Sequence, residues 1–163
     1  MKNTCRILAF LMAALMLLLA FTACGKKDQE PSAAFVFSHN GVDIKIGDSD
    51  SVIEKLGNWK LVNSTEYCGG FAGKEYTYTY EGFNIYTVPN QNGNVINMIE
   101  LTSDAVKLPN GLTIGSTRKE VVKAMGSEGT AQGSGLVYTS GMVKLTFIMR
   151  DDVVTNIQYT STV

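Results

Sequence analysis

A chain that carries one pattern twice is expected to build one unit twice, and two stretches of this sequence share a layout. The first reads VDIKIGDSDSVIEKLG, then a gap, then YTYEGFNIYTVPNQNGNVINMIELTSD. The second reads LTIGSTRKEVVKAMG, a glycine-rich gap, then LVYTSGMVKLTFIMRDDVVTNIQYTSTV. Gly57 answers Gly126, Gly82 answers Gly141, and residues 95–103 answer residues 153–161. Apolar residues spaced for one helical face precede each glycine stop, and period-two alternation follows it. In the first copy this predicts a helix over residues 50–56 and strands over 74–80, 83–88 and 95–102. In the second it predicts a capping box at Thr117–Glu120, a helix ending at Met125, and strands over 136–140, 142–149 and 153–160. Residues 42–46 and 112–114 read as short extra strands. The predicted fold class is α+β: two tandem helix-plus-three-strand repeats forming an antiparallel sheet, with the helices on one face.

The N-terminus obeys different rules. Lys2 and Arg6 precede an apolar run over residues 7–20 that is shorter than the roughly 20 residues a membrane span needs. A basic start, an apolar run and small residues mark a secretory signal over residues 1–23. Phe21-Thr22-Ala23-Cys24 resembles the bacterial lipobox, which implies that Cys24 is lipidated and becomes the first mature residue. Two acyl chains hold a protein to a membrane where one is marginal. Residues 24–38 then read as lipidated cysteine and tether, charged and without hydrophobic period at first. Residues 39–163 read as a single domain of two repeats, about 42–104 and 105–163. The expected location is extracytoplasmic, lipid-anchored to the outer face of the cell membrane.

Composition removes several function classes. The formal net charge is −1 and becomes −3 once Lys2 and Arg6 leave with the signal, because all 15 acids remain. That balance argues against a nucleic-acid partner. The mature chain keeps Cys24 and Cys68 and one histidine, His39, too few for a Cys/His zinc site. Asp43, Asp48, Asp50 and Glu54 lack a calcium-loop spacing and suit a helix start. The glycine-rich run 126–135 follows a helix and lacks the end of a phosphate loop. No nucleophile motif surrounds His39, which reads as a turn residue, and Cys68 reads as a small buried filler. Neither an enzyme nor a cofactor is expected, and a monomer is.

The aromatic residues of the first copy are the candidate binding face: Trp59, Tyr67, Phe71, Tyr76, Tyr78, Tyr80 and Tyr86. Aromatics favour strands, so core and cross-strand packing accounts for such a run. Tyrosine also supplies rigid contact area with a hydroxyl, the chemistry of interfaces. The second copy offers only Tyr138 and Tyr159.

An opening glycine, a short capped helix closed by Leu-Gly or Met-Gly, and a following run of strands resemble the β-lactamase-inhibitor-protein fold and, distantly, the small domain of outer-membrane-assembly lipoproteins. Cys68, Phe71, Gly73 and Lys74, then Tyr78-Thr79-Tyr80-Glu81-Gly82-Phe83, then Ile114-Gly115, resemble surface lipoproteins of Gram-positive, Clostridium-like gut bacteria. These resemblances imply a membrane-anchored module that binds a protein, a peptide or an envelope polymer. The alternative is a structural, envelope-maintenance lipoprotein without a discrete ligand.

Overall fold

Asn40 and Gly41 both adopt positive φ (50° and 76°), the geometry that lets a two-residue loop follow the right-handed twist of its strands. They close a hairpin between β1 (Phe37–His39) and β2 (Val42–Ile44), which forms a two-stranded sheet of its own. The computed structural model describes residues 33–162. After the hairpin come α1 (Val52–Leu56), β3 (Leu61–Glu66), β4 (Lys74–Thr79), β5 (Phe83–Asn90) and β6 (Gly93–Leu101). Then follow α2 (Arg118–Met125), β7 (Thr130–Gln132), β8 (Gly135–Ser140), β9 (Val143–Arg150) and β10 (Val153–Ser161). The eight later strands form one sheet in the order β3-β4-β5-β6-β10-β9-β8-β7, with every pairing antiparallel.

This overturns the expected α+β class of two tandem helix-plus-three-strand repeats. The protein is mostly β, the two α-helices have five and eight residues, and four strands follow each of them. In the large sheet the strands that the sequence pattern missed are β3 and β7, its two edges, and β1 was missed as well, with His39 ending that strand instead of lying in the turn. Described side chains of both edges are exposed throughout, so no apolar alternation marks them. Residues 112–114 are not a strand, and β2 pairs with β1 and not with the large sheet. Packing also starts before residue 39: Ala34, Phe35 and Phe37 are buried in the core. Residues 1–23 and Cys24 lie outside the described residues. Among the described residues no helix is long and apolar enough to cross a membrane.

The two halves of the sheet meet at four residue pairs between β6 and β10, from Leu101 opposite Ile157 to Met98 opposite Thr160. Beyond those pairs the two strands diverge, and each free flank is completed by the segment leading into its own half's helix. Gly47 donates to the Ile96 carbonyl (2.8 Å) and Asp50 to that of Asn94 (3.0 Å), while Ile96 donates to Asp48 (2.8 Å). In the other half Gly115 donates to Val154 (2.8 Å), Val154 to Ser116 (2.9 Å) and Arg118 to Asp152 (2.8 Å). The Arg118 side chain also pairs with Asp152 at 2.7 Å. Both helix starts are thereby fixed to the central strands.

One face of the sheet is apolar because alternate residues of every inner strand are. Its rows cross both halves: Ile85, Ile99, Tyr159 and Leu145 stand side by side, as do Phe83, Leu101, Ile157 and Phe147. Ile53 and Leu56 of α1, Val121 of α2, and Phe37 and Ile44 of the hairpin are buried in the same cluster, so both helices and the hairpin cover this face. The Phe37 ring meets those of Phe83 (4.9 Å) and Tyr159 (6.0 Å). Only α2 has the full capping box, with Thr117 and Glu120 satisfying each other's backbone N–H; Ser51 makes no such bond for α1. With five residues and no side-chain cap, α1 is held by packing. Ile99 is fully buried on the central strand β6. We expect Ile99→Ala to cost about 2–5 kcal/mol in chemical denaturation, against less than about 0.5 kcal/mol for Asn97→Ala on the exposed side of the same strand.

Candidate functional site

Alternation in β4 sets Tyr76, Tyr78 and the following Tyr80 on one face, and the register decides which. Tyr78 stands opposite Ile85, so the run faces the helices and the core. Cover falls away toward the edge. Tyr80 is 6 % exposed and stacks on Phe83 with ring centroids 4.6 Å apart, whereas Tyr78 and Tyr76 are half-buried. Trp59 is 42 % exposed and meets Tyr78 edge-on at 6.1 Å, and the Tyr76 ring lies 6.2 Å from that of Tyr78. Val62, 38 % exposed, sits opposite Tyr78 on β3. Trp59, Val62, Tyr76 and Tyr78 thus form one apolar patch at the corner of the sheet. Burial raises the Tyr78 pKa, with the Asp50 charge and then Tyr76 adding to it. Burial pushes that of Tyr80 up to about 12, with Tyr78 adding. Both hydroxyls stay protonated at neutral pH.

The other expected members of the aromatic face are elsewhere. Tyr80 belongs to the core, and Tyr86 stands on the opposite face of the sheet, in register with Thr77 and Met98. Tyr67 and Phe71 lie in the loop between β3 and β4. Tyr67 covers Gly69, where any Cβ would collide with its ring, and Phe71 is 47 % exposed. Among the described ring contacts none joins these two to the Trp59–Tyr78–Tyr76 cluster. Cys68 is exposed and free, contrary to the expected buried filler, because it occupies this loop and not a packed strand. His39 ends β1 and lies against Phe83 at 4.7 Å, so it is half-buried.

The second half has a tyrosine in the corresponding row of the sheet, with a different fate. Tyr138 pairs with Leu145, as Tyr78 does with Ile85, yet it is only 7 % exposed. Its ring lies against Gly129 and its hydroxyl donates to the Ser127 carbonyl at 2.9 Å. The chain after α2 covers Tyr138, whereas the chain after α1 sets only Trp59 edge-on against Tyr78, which stays half-buried.

The outer face of the sheet is polar and centres on Glu100 of β6. The Tyr86 hydroxyl donates to Glu100 Oε2 (2.8 Å), and Asn156 Nδ2 (3.0 Å) and Gln158 Nε2 (3.2 Å) donate to Oε1. Asn84 Nδ2 donates in turn to the Tyr86 hydroxyl at 3.4 Å. Burial pushes the Glu100 carboxyl up, but hydrogen bonds from Tyr86, Gln158 and Asn156, with a smaller contribution from Asn84, outweigh it and leave the pKa lowered. For Tyr86 burial, the bond to Glu100 and its charge all raise the pKa. Neutral donors satisfy this carboxylate, so it joins β5, β6 and β10 across the seam of the sheet and has no free base to offer. No sequence signal announces the group, because Glu100 and Asn156 are 56 residues apart and only the β6–β10 register brings them together.

Among the described residues no group of three or more His, Cys, Asp or Glu side chains is placed to hold a metal ion. No protein family, no curated protein and no solved structure matches this chain. The lowered carboxyl pKa has a direct consequence. Its stabilising contribution is complete above the ordinary glutamate value and is lost as pH falls through the lower folded value. Denaturant melts from about pH 7 to about pH 3 are expected to show a shallower acid loss of stability for Glu100→Gln than for the parent protein.

Proposed function

We propose that the protein is a lipid-anchored, extracytoplasmic binding module that presents the β3–β4 corner of its sheet to a protein, a peptide or an envelope polymer. The observation that carries this reading is the uncovered cluster of Trp59, Val62, Tyr76 and Tyr78. Aromatic side chains left half-exposed on an otherwise well-covered apolar face are the chemistry of interaction surfaces, where rigid rings supply contact area at small entropic cost. The contrast with Tyr138 strengthens it, since the same row of the sheet is closed over in the other half. Anchoring rests on the lipobox-like residues before Cys24 and on the charged stretch that follows.

A second reading, an envelope-maintenance lipoprotein without a discrete ligand, is favoured by the outer face, whose central polar groups are engaged with one another around Glu100.

One measurement tests the anchor common to both readings, and a second separates them. Cys24→Ala should release the protein from the membrane pellet and from the detergent phase of a two-phase extraction; retention in both would remove the anchor. Trp59→Ala/Tyr76→Ala should lose the envelope components that the parent protein retains on an affinity matrix, with the thermal melt of the domain preserved. Equal recovery by parent and variant would sink the aromatic corner as the binding surface.

A further inference from the structure

We infer that β3 is a self-association edge, through which two copies of this chain pair antiparallel about a two-fold axis at Asn63. The inference goes beyond the ligand reading and does not depend on it, since the pairing is made by backbone and by charged groups outside the aromatic cluster.

Sheet edges are normally blunted by shortness, by proline or by bulges. The β7 edge is three residues long, but β3 has six, Leu61–Glu66, with no proline or glycine among them. Side chains from Val62 to Glu66 are all exposed. Tyr67 donates its N–H to the Gly73 carbonyl (3.0 Å), which continues the register of Thr65 with Glu75 and Asn63 with Thr77. In an antiparallel ladder hydrogen-bonded pairs alternate, so the backbone groups of Val62 and Ser64 point away from β4. A second β3 strand must therefore bond through its own even-numbered residues. This allows a two-fold register centred on any residue of β3, and centring on Asn63 or Ser64 keeps the longest stretch of each strand paired.

Charge selects one of them. Lys60 lies one residue before β3 and gives its own N–H to the Thr79 carbonyl (2.7 Å), so only its side chain can reach across. Centring on Asn63 brings that side chain toward Glu66 of the second copy, twice by symmetry. Centring on Val62 sets Lys60 against Ser64, and centring on Ser64 sets it against Cys68. Lys60 already lies 3.5 Å from Glu81, and Glu66 lies 3.9 Å from Lys74. The Asn63 register joins these exposed pairs into two rows of alternating sign across the axis, whereas the other registers leave both lysines facing neutral side chains. A two-fold axis perpendicular to the sheet keeps like faces together. The two clusters of Trp59, Val62 and Tyr78 then lie on one side and form a broader surface than either copy offers alone. This departs from the monomer expected from the sequence.

The test uses the full chain in its membrane, with Cys68→Ser to remove the exposed thiol. In the proposed register Asn63 meets its mate as a non-hydrogen-bonded pair, with Cα atoms about 4.5 Å apart, inside the range a disulfide spans. Asn63→Cys should therefore oxidise to a species of twice the chain mass, while Thr139→Cys, exposed on β8, should not. Adding Ser64→Pro should abolish the cross-link with the melting curve kept, because the lost N–H faces outward. Lys60→Glu should weaken the dimer by about tenfold, and Lys60→Glu/Glu66→Lys should restore it. Cross-linking of Asn63→Cys no greater than that of Thr139→Cys overturns the inference. So does a cross-link to a different protein, which would make β3 an edge for another chain, and so does failure of the charge exchange to restore pairing. Because the disulfide is read on its own, either result leaves capture by the aromatic corner to be judged separately.

Discussion

Four residue pairs between β6 and β10 make one molecule of two half-sheets, and the rest of the structure depends on that seam. With only a few pairs the seam is short for the middle of an eight-stranded sheet. Backbone pairing continues on either side of it: residues 47–50 complete the flank of β6 and residues 115–118 that of β10. Across the pairs, Ile99 and Tyr159 meet on the buried side and Glu100 and Gln158 on the outer side. The apolar rows therefore run unbroken through the join. The carboxylate of Glu100, which burial alone would penalise, is tied by Tyr86 and Asn156 to the strands on either side.

The two halves have matching strand paths and unequal cover. Tyr78 and Tyr138 occupy corresponding rows, and the chain after α2 seals one of them while the other stays open beside Trp59 and Val62. The edges differ in the same sense, since β3 is long and faces solvent on both sides while β7 is brief. Both asymmetries fall on the same corner of the sheet. A fold whose opposite end is closed and short concentrates its capacity for contact at β3 and β4.

Much of the secondary structure was legible from residue order. Alternation placed β4, β5, β6, β8, β9 and β10 to within a few residues, and Thr117 with Glu120 located the start of α2. The edges were not legible, because a strand exposed on both faces carries no apolar period, and Val62-Asn63-Ser64-Thr65 shows none. That omission leaves three strands legible per half where four exist, and makes a mostly-β fold read as α+β. The aromatic face was legible only in part. Alternation correctly grouped Tyr76, Tyr78 and Tyr80, but it carries no information on depth beneath the helices, so the buried Tyr80 and the half-exposed Tyr76 looked alike. Cys68 was misjudged for the converse reason, as a residue of buried type held in an exposed loop.

By itself the sequence determined what depends on neighbours a few residues away: the turns, the helix cap, the glycine stops and the alternating faces of the strands. Those follow from backbone sterics and local hydrogen bonds, which act at short range along the chain. Tertiary structure alone decided the seam between β6 and β10, the network on Glu100, and which tyrosines are covered. Each of these joins groups that lie far apart in the chain, 56 residues in the case of Glu100 and Asn156. Pairing over such separations is chosen by whichever register buries the apolar rows together and satisfies the polar atoms between them.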